Sequence, residues 1–401
     1  MAETRFALLS RLRVCAGNSA CCPPWRVPIT RLVEKFVAVV ICGVLALPAG
    51  ASASSDATLL RKASWLSGLP ARSAIPTATL AAARYDAALR RAARRDYPRR
   101  LRETDARLYV LLGLTSPAGQ LQLLPRRTSP AWYDPALRKL LLRGAHPPAQ
   151  ARLINEFVRG LVDQNFGLQR ISGLRSRDRD AALAAQGIVE GTAALASGVR
   201  APAPRGTPLE RFLELEATTG PGPGRALAAK LRYLGGLRAL ATALRTFPQT
   251  TEQLLHIDKF LERERALPVR LPSSIGTARL SASETFGELD VRNLLHAHRI
   301  PNANLVAAGW GGGRVALYRS PAGEYTAALD LRWDSVADAE EWRETVPRFI
   351  ASAFGLTTGR DCPPLDYCGA ASSELAAGAI GKRTVFASGP QAELIAAALL
   401  G

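Results

Sequence analysis

Four histidines and six cysteines bound the metal and nucleophile chemistry open to this chain of 401 residues. His296 and His298 have the i, i+2 spacing that chelates from a strand. They follow Val291–Leu295, a run that reads as helix, where residues two apart diverge. His146 sits in a Gly-Ala-His-Pro-Pro stretch and reads as a loop residue, and His256 falls on a helical segment. Cys362 and Cys368 flank a proline-containing loop, the pattern of a short-loop disulfide formed in an oxidising compartment. A zinc half-site there would need a second Cys or His pair close by, and none is. No Gly-x-Ser-x-Gly turn offers a serine nucleophile. Gly220–Gly224 (Gly-Pro-Gly-Pro-Gly) cannot cradle phosphate, because its prolines lack N–H groups and no Lys-Ser/Thr follows. Glu340-Glu341 is a carboxylate pair on a helix surface. Glu156 and Glu190 are different, since each lies inside an apolar stretch.

The elements around these two carboxylates can be read from periodicity. Ala149–Asn165 places Ile154, Phe157, Val158, Leu161 and Val162 on one stripe and is an amphipathic helix carrying Glu156. Asp178–Ser197 is an Ala-rich second helix carrying Glu190, and its Gly187 and Gly191 point to close packing. Upstream, Thr77–Asp96 is predicted as one helix and Leu108–Leu114 as a strand or a helix end. Gln120–Leu124 and Leu137–Arg143 are predicted to pair around the turn at Tyr133-Asp134-Pro135. Downstream, Arg225–Arg245 is a long helix, and Thr250–Arg265 is another, opened by the capping pattern Thr250-x-x-Gln253. After Pro272 the pattern changes. Arg314–Arg319 and Tyr325–Trp333 read as hairpin strands, with Trp310–Gly313 as a tight turn before them. Asp334–Ala353 reads as a helix, Arg383–Ala387 as a strand and Pro390–Leu400 as a terminal helix. The fold class is α+β: a helix-rich domain over 54–270, then a smaller α+β domain over 271–401.

Several segments, in this order, resemble one bacterial family of exported zincin-like metallopeptidases. The family's helix reads roughly H-E-x-x-H-A-L-Q-D-Q-x-F-x-L, and a second helix carries E-G-x-A. Here Glu156, Leu161, Asp163-Gln164, Phe166 and Leu168 match the first, and Glu190-Gly191 and Ala193 the second. Leu111–Leu114 and Tyr133–Pro135 match upstream. Thr251–His256 with Lys259, Thr285–Glu288, Gly309–Gly312 and Trp333-Asp334 match downstream. The resemblance implies a zinc site in which two histidines, i and i+4 on one helix, share the metal and a Glu acts as general base. The two ligand positions are Asn155 and Arg159 in this chain. Glu156 holds the general-base position and Glu190 the third-ligand position. An amide oxygen is a poor zinc ligand and a guanidinium is none, so the resemblance implies a scaffold without its metal. Arg159 is expected to replace the cation by pairing with Glu190 and with Glu156. Asp163, Gln164 and His256 are the candidate cleft residues.

Composition sets the context. With 47% hydrophobic residues the chain can bury a large core. Residues 1–53 read as a signal peptide or signal anchor. Arg26, Arg31 and Lys35 precede the apolar run Phe36–Leu47, and Pro48–Ala53 offers a small-residue cleavage site after Ala53. Residue Ile41 before Cys42 argues against a lipid-modified cysteine. The formal charge is +18; residues 1–53 hold six basic and two acidic residues, so the remainder carries +14. An anionic surface is therefore a candidate partner, whereas no nucleic-acid module is visible. The expectation is an exported or envelope-associated pseudoenzyme with no cofactor that binds an envelope protein or peptide. Two alternatives stay open: an active metallopeptidase with zinc held by Glu156, Glu190 and His256, and a signal-anchored structural envelope protein.

Overall fold

Helix formers dominate the first two thirds of the chain, and β-branched, aromatic and small residues the last third. The computed structural model describes residues 50–116, 129–144, 148–370 and 373–401. The first region runs α1 (Gly50–Ser67), β1 (Thr77–Leu80), α2 (Ala82–Asp96), α3 (Arg99–Leu111), β2 (Ala131–Asp134) and β3 (Lys139–Arg143). It continues through α4 (Gln150–Phe166), α5 (Gln169–Ser172), α6 (Arg179–Ser197) and α7 (Pro208–Ala217). A single π-helical turn, Gly220–Gly224, leads into α8 (Arg225–Thr246), α9 (Thr251–Leu255) and α10 (Ile257–Glu262). The second region comprises β4 (Ser274–Ile275), β5 (Ala278–Thr285), α11 (Glu288–Ala297), α12 (Ala303–Ala308), β6 (Trp310–Arg319), β7 (Tyr325–Trp333) and α13 (Val336–Phe354). It ends with β8 (Arg360–Cys362), β9 (Leu365–Ala370), β10 (Glu374–Ile380), β11 (Arg383–Ser388) and α14 (Ala392–Leu400). The fold class is α+β, as the sequence predicts.

The last eight strands form one antiparallel sheet in the order β4-β5-β6-β7-β11-β10-β9-β8. Alternation along its strands divides two cores. Leu329, Leu331 and Phe386 face Trp310, Trp333, Trp342 and Phe349, together with Leu108 of α3, Leu112 just past its end and Phe212 of α7. Ala328, Val385 and Tyr318 face Ile395 and Leu399 of α14 on the other side. The Cys362–Cys368 disulfide joins β8 to β9 at that second core. In the helical region the predicted stripe of α4 packs against Ala184, Ile188 and Val189 of α6 and Leu227 and Leu231 of α8.

Local signals explain most of the boundaries. Thr207 and Ser335 cap α7 and α13 through reciprocal bonds with Glu210 and Asp338. Asp178 caps α6 through the Ala181 N–H, and Gly198 ends it in the left-handed region. Thr250 caps α9 by accepting from the Gln253 N–H at 3.1 Å.

Four expectations need correction. Thr77–Asp96 is not one helix: Thr77–Leu80 pairs in parallel with Leu140–Arg143, because the strand partner outweighs a weak helical preference at two threonines. Thr250–Arg265 breaks at His256, whose backbone is extended, giving two short helices. Trp310–Gly313 is not a turn but the start of β6; the register slips between Trp310 and Gly312, and a Cβ at Gly312 would lie 2.3 Å from the Leu267 carbonyl oxygen. The partners of β3 are β1 and β2, and Gln120–Leu124 lies outside the described residues, as do His146 and the apolar run 36–47. Leu108–Leu111 ends a helix, and among the described residues no helix is long and apolar enough to cross a membrane.

The contact between α6 and the Gly220–Gly224 turn is the tightest in the helical region. A Cβ on Gly191 would lie 2.1 Å from the Gly224 carbonyl carbon, and one on Gly224 would lie 1.9 Å from the Gly187 oxygen. Backbone cannot yield as a side chain can. Gly191→Ala is therefore expected to destabilise by about 1–3 kcal/mol or more. Gly173→Ala, where the near atom is the flexible end of Arg177, should change little. Urea unfolding of the two variants beside the parent checks this.

Candidate functional site

The helix pair carries the residues that the resemblance singles out. Glu156 is buried on α4, and its Oε2 accepts two donors: the Tyr133 N–H of β2 at 2.9 Å and the Arg159 Nη1 at 3.1 Å. Arg159 lies one turn on, its side chain 13% exposed. Burial opposes its charge, but Glu156 and then Glu190 outweigh it and hold the guanidinium above its usual range. Arg159 thus sits in the field of both carboxylates, with its hydrogen bond to Glu156 alone and through one nitrogen. Its Nε is buried without a partner among the described residues. Glu190 packs on the π-helical turn, where a Cβ at Gly220 would lie 2.3 Å from the Glu190 Cβ. Asn155 donates to the Ser197 Oγ at 3.3 Å, tying α4 to the end of α6.

This set does not fit zinc. The one position able to bring a cation already holds a guanidinium, and the general-base oxygen is occupied by a backbone N–H and that guanidinium. His256 is engaged elsewhere, its Nε2 at 2.8 Å from Glu288 Oε1. Asp163 and Gln164 act as ties. Asp163 Oδ2 accepts the Tyr133 hydroxyl and its Oδ1 the Leu168 N–H, both at 2.7 Å. The Gln164 amide bonds the backbone at Arg72 and Ser73.

The downstream matches converge on a second place, the seam between the helical region and the sheet. Asp180, in the first turn of α6, accepts the Thr251 N–H at 2.9 Å and the Thr251 hydroxyl. The Thr251 Oγ1 in turn accepts the Leu289 N–H at 3.1 Å. Gly287 comes so near that a Cβ there would strike Asp180 Oδ1. His256 meets Glu288 beside this point, and the Trp310 indole donates to the Phe286 carbonyl at 3.0 Å. The Lys259 ammonium bridges Glu252, Glu264 at 3.0 Å and Asp334 at 2.6 Å. Those three carboxylates could gather a metal ion, but Lys259 already supplies their cation. Burial pushes the Glu252 carboxyl up to about 7 against the pull of Lys259.

A charge network next to the seam escaped the sequence reading. Arg179 pairs with Asp290 and, at 2.7 Å, with Glu216; Arg175 pairs with Asp105 at 2.9 Å, and Asp105 also accepts the Tyr97 hydroxyl. Arg175 and Arg179 are four residues apart, yet their partners lie 37 to 111 residues away, so no local pattern announces them.

Residues 277–395 match the family described as a domain of unknown function, DUF8575. No curated protein and no solved structure matches the chain. The matched span begins at the strand before Thr285–Glu288 and ends inside α14, so it includes the sheet side of the seam.

Two outcomes follow from this geometry. Arg159→Met leaves Glu156 buried and charged with one donor, and should cost about 3–5 kcal/mol. In a Glu156→Gln background, where the amide oxygen still accepts the Tyr133 N–H, the same change should cost less than half as much. A double-mutant cycle in urea measures the difference. The second outcome concerns pH. Burial, reinforced by Asp290, pushes the Asp180 carboxyl up to about 8 despite the bonds from Thr251. Unfolded, it ionises near about 3.9, so its contribution is complete below that value and is lost as pH rises through about 8, at roughly 1.4 kcal/mol per pH unit. Asp180→Asn keeps one of the two acceptor oxygens and cannot ionise. Its stability relative to the parent should therefore climb across that window, which unfolding curves at stepped pH will report.

Proposed function

We propose that the chain is an exported zincin-like scaffold without metal or peptidase activity, which acts by binding an envelope or extracellular protein or peptide. The observation that carries this reading is the Arg159–Glu156 pair. A cation that cannot leave stands beside the general-base position, and the base's oxygen is bonded to the Tyr133 backbone. Water activation needs a free carboxylate beside ligands that hold a Lewis acid; here Glu156 Oε2 is bonded twice and the neighbouring positions offer an amide and a guanidinium. The chemistry of Asn155 and Arg159 supports the same conclusion.

The active-metallopeptidase alternative requires Glu156, Glu190 and His256 on one ion. His256 is spent on Glu288, and the groups of metal-capable side chains that gather among the described residues are Glu252–Glu264–Asp334 and Cys362–Cys368–Glu393. The second of these is spent on the disulfide. Export is supported by that disulfide, which suits an oxidising compartment, and by the leader pattern of residues 1–53.

Elemental mass spectrometry for zinc tests the reading on the purified protein beside an Asn155→His/Arg159→His variant. The expected result is no zinc in the parent and stoichiometric zinc in the variant, each with a folded circular-dichroism spectrum. Stoichiometric zinc in the parent, with chelator-sensitive peptide cleavage, would overturn it. A folded variant without zinc would remove the zincin scaffold from the proposal.

A further inference from the structure

The middle of α8 departs from the rules that the rest of the molecule obeys. Its two ends are anchored in the core by Leu227, Leu231, Leu240 and Leu244. Between them Gly235 and Gly236 leave helical geometry, Gly236 with φ of +59°, and residues 232–238 are all exposed. This outward bend reads Arg-Tyr-Leu-Gly-Gly-Leu-Arg. Tyr233 is 89% and Leu234 61% exposed, and Leu237 lies over Gly68 at the end of α1. Trp65 of α1, 80% exposed, joins them across an open concavity of about 590 Å³ that Tyr233, Arg232, Leu195 and Ala229 help line. Arg232 fastens the two helices by donating to the Leu66 carbonyl at 2.9 Å. Single exposed apolar side chains are ordinary, but a contiguous aromatic and leucine cluster is not.

The charges on the two helices are predominantly positive. α8 carries Arg225, Lys230, Arg232, Arg238 and Arg245 and no acidic residue; α1 adds Arg61 and Lys62 against Asp56. Among the described residues none of Arg61, Lys62, Lys230, Arg232 and Arg238 pairs with a carboxylate, whereas the buried arginines at the seam all do. A soluble polyanion would use the cations and leave Trp65, Tyr233 and Leu234 in water. A bilayer interface uses both: indole and phenol rings at headgroup depth, leucine in the acyl boundary, and Lys and Arg on anionic headgroups.

We infer that the α1–α8 tip, with Trp65, Tyr233, Leu234 and Leu237 ringed by Lys230, Arg232 and Arg238, is a docking site for an anionic lipid bilayer. The inference does not depend on the metal-free reading, since none of its residues belongs to the helix-pair site.

The test uses the full chain with Trp25→Phe, so that Trp65 is the exposed indole; Trp132, Trp310, Trp333 and Trp342 are buried. Its fluorescence is followed with vesicles of brominated phosphatidylcholine, with and without phosphatidylglycerol. The expected result is a blue shift and quenching of Trp65 that require phosphatidylglycerol. Binding should weaken by about five-fold for each cation removed in Lys230→Gln/Arg238→Gln. Quenching should be lost in Tyr233→Ser/Leu234→Ser, with the near-UV spectrum unchanged. Equal quenching in zwitterionic vesicles, or in either variant, would overturn the proposal. So would binding to soluble polyphosphate with no lipid quenching. Trp65 already shielded from iodide without lipid would also overturn it, because another segment or a second copy would then cover the tip.

Discussion

The first turn of α6 is the constraint on which the rest depends. Arg179 and Asp180 are neighbours there, both buried, and Arg179 reaches out of the helical region. Arg179 takes Asp290 of α11 and Glu216 of α7, while Asp180 takes the start of α9 at Thr251. Because α11 immediately follows β5 through Gly287, these contacts fix where the sheet meets the helices. Such pairs are demanding. Removing one partner strands a charge in a low-dielectric interior, which typically costs about 3–5 kcal/mol, although an apolar replacement of the whole set can be neutral. What they contribute is therefore register more than net stability: α6 can sit in one place only. That place also brings Gly187 and Gly191 against Gly224 and sets Glu190 beside the π-helical turn.

The Arg159–Glu156 pair obeys the same logic at the other end of the helix pair. A buried carboxylate on α4 needs a cation or a set of donors. In the proposed ancestry a metal would have met that need. Here a guanidinium one turn along the same helix meets part of it and the Tyr133 backbone meets the rest. Glu156 has thereby become the pin that joins β2 to α4. Its loss would free a buried N–H and a buried guanidinium together.

What the sequence disclosed follows the range of the interactions. The stripe on α4, the cap at Thr250 and the disulfide of two cysteines six apart are local, and each could be read from spacing. The α+β class was equally legible. β1 was not, because Thr77–Leu80 is a strand only by virtue of Leu140–Arg143, more than sixty residues later. The break at His256 and the bulge at Gly311 were hidden for a similar reason, as each is imposed by packing against a distant segment. At the site, residue types placed an amide and a guanidinium where the resemblance would have histidines. They did not disclose that Arg159 would choose Glu156 over Glu190 for its hydrogen bond, since both geometries satisfy the charge. The seam residues Thr251, His256, Lys259, Gly287 and Asp334 were matched as motifs, but their joint role appears only when the fold brings them together.

Two departures from ordinary solvation lie in separate parts of the molecule. At the seam, charged groups are buried and share partners: Arg179 takes Asp290 and Glu216, and Lys259 serves three carboxylates. At the α1–α8 tip, large apolar groups are exposed among cations that have no acidic partner among the described residues. Local rules are broken at a cost, and a chain keeps such exceptions where they serve an end. The seam's exception is answered inside the molecule, by opposite charges or, at Asp180, by the donors of Thr251. The tip's exception finds no answer among the described residues: bending α8 at two glycines to expose Tyr233 and Leu234 forgoes helix and core contacts alike. A registered body that carries an exposed apolar surface among cations fits the proposal that the protein works by attachment to an anionic bilayer.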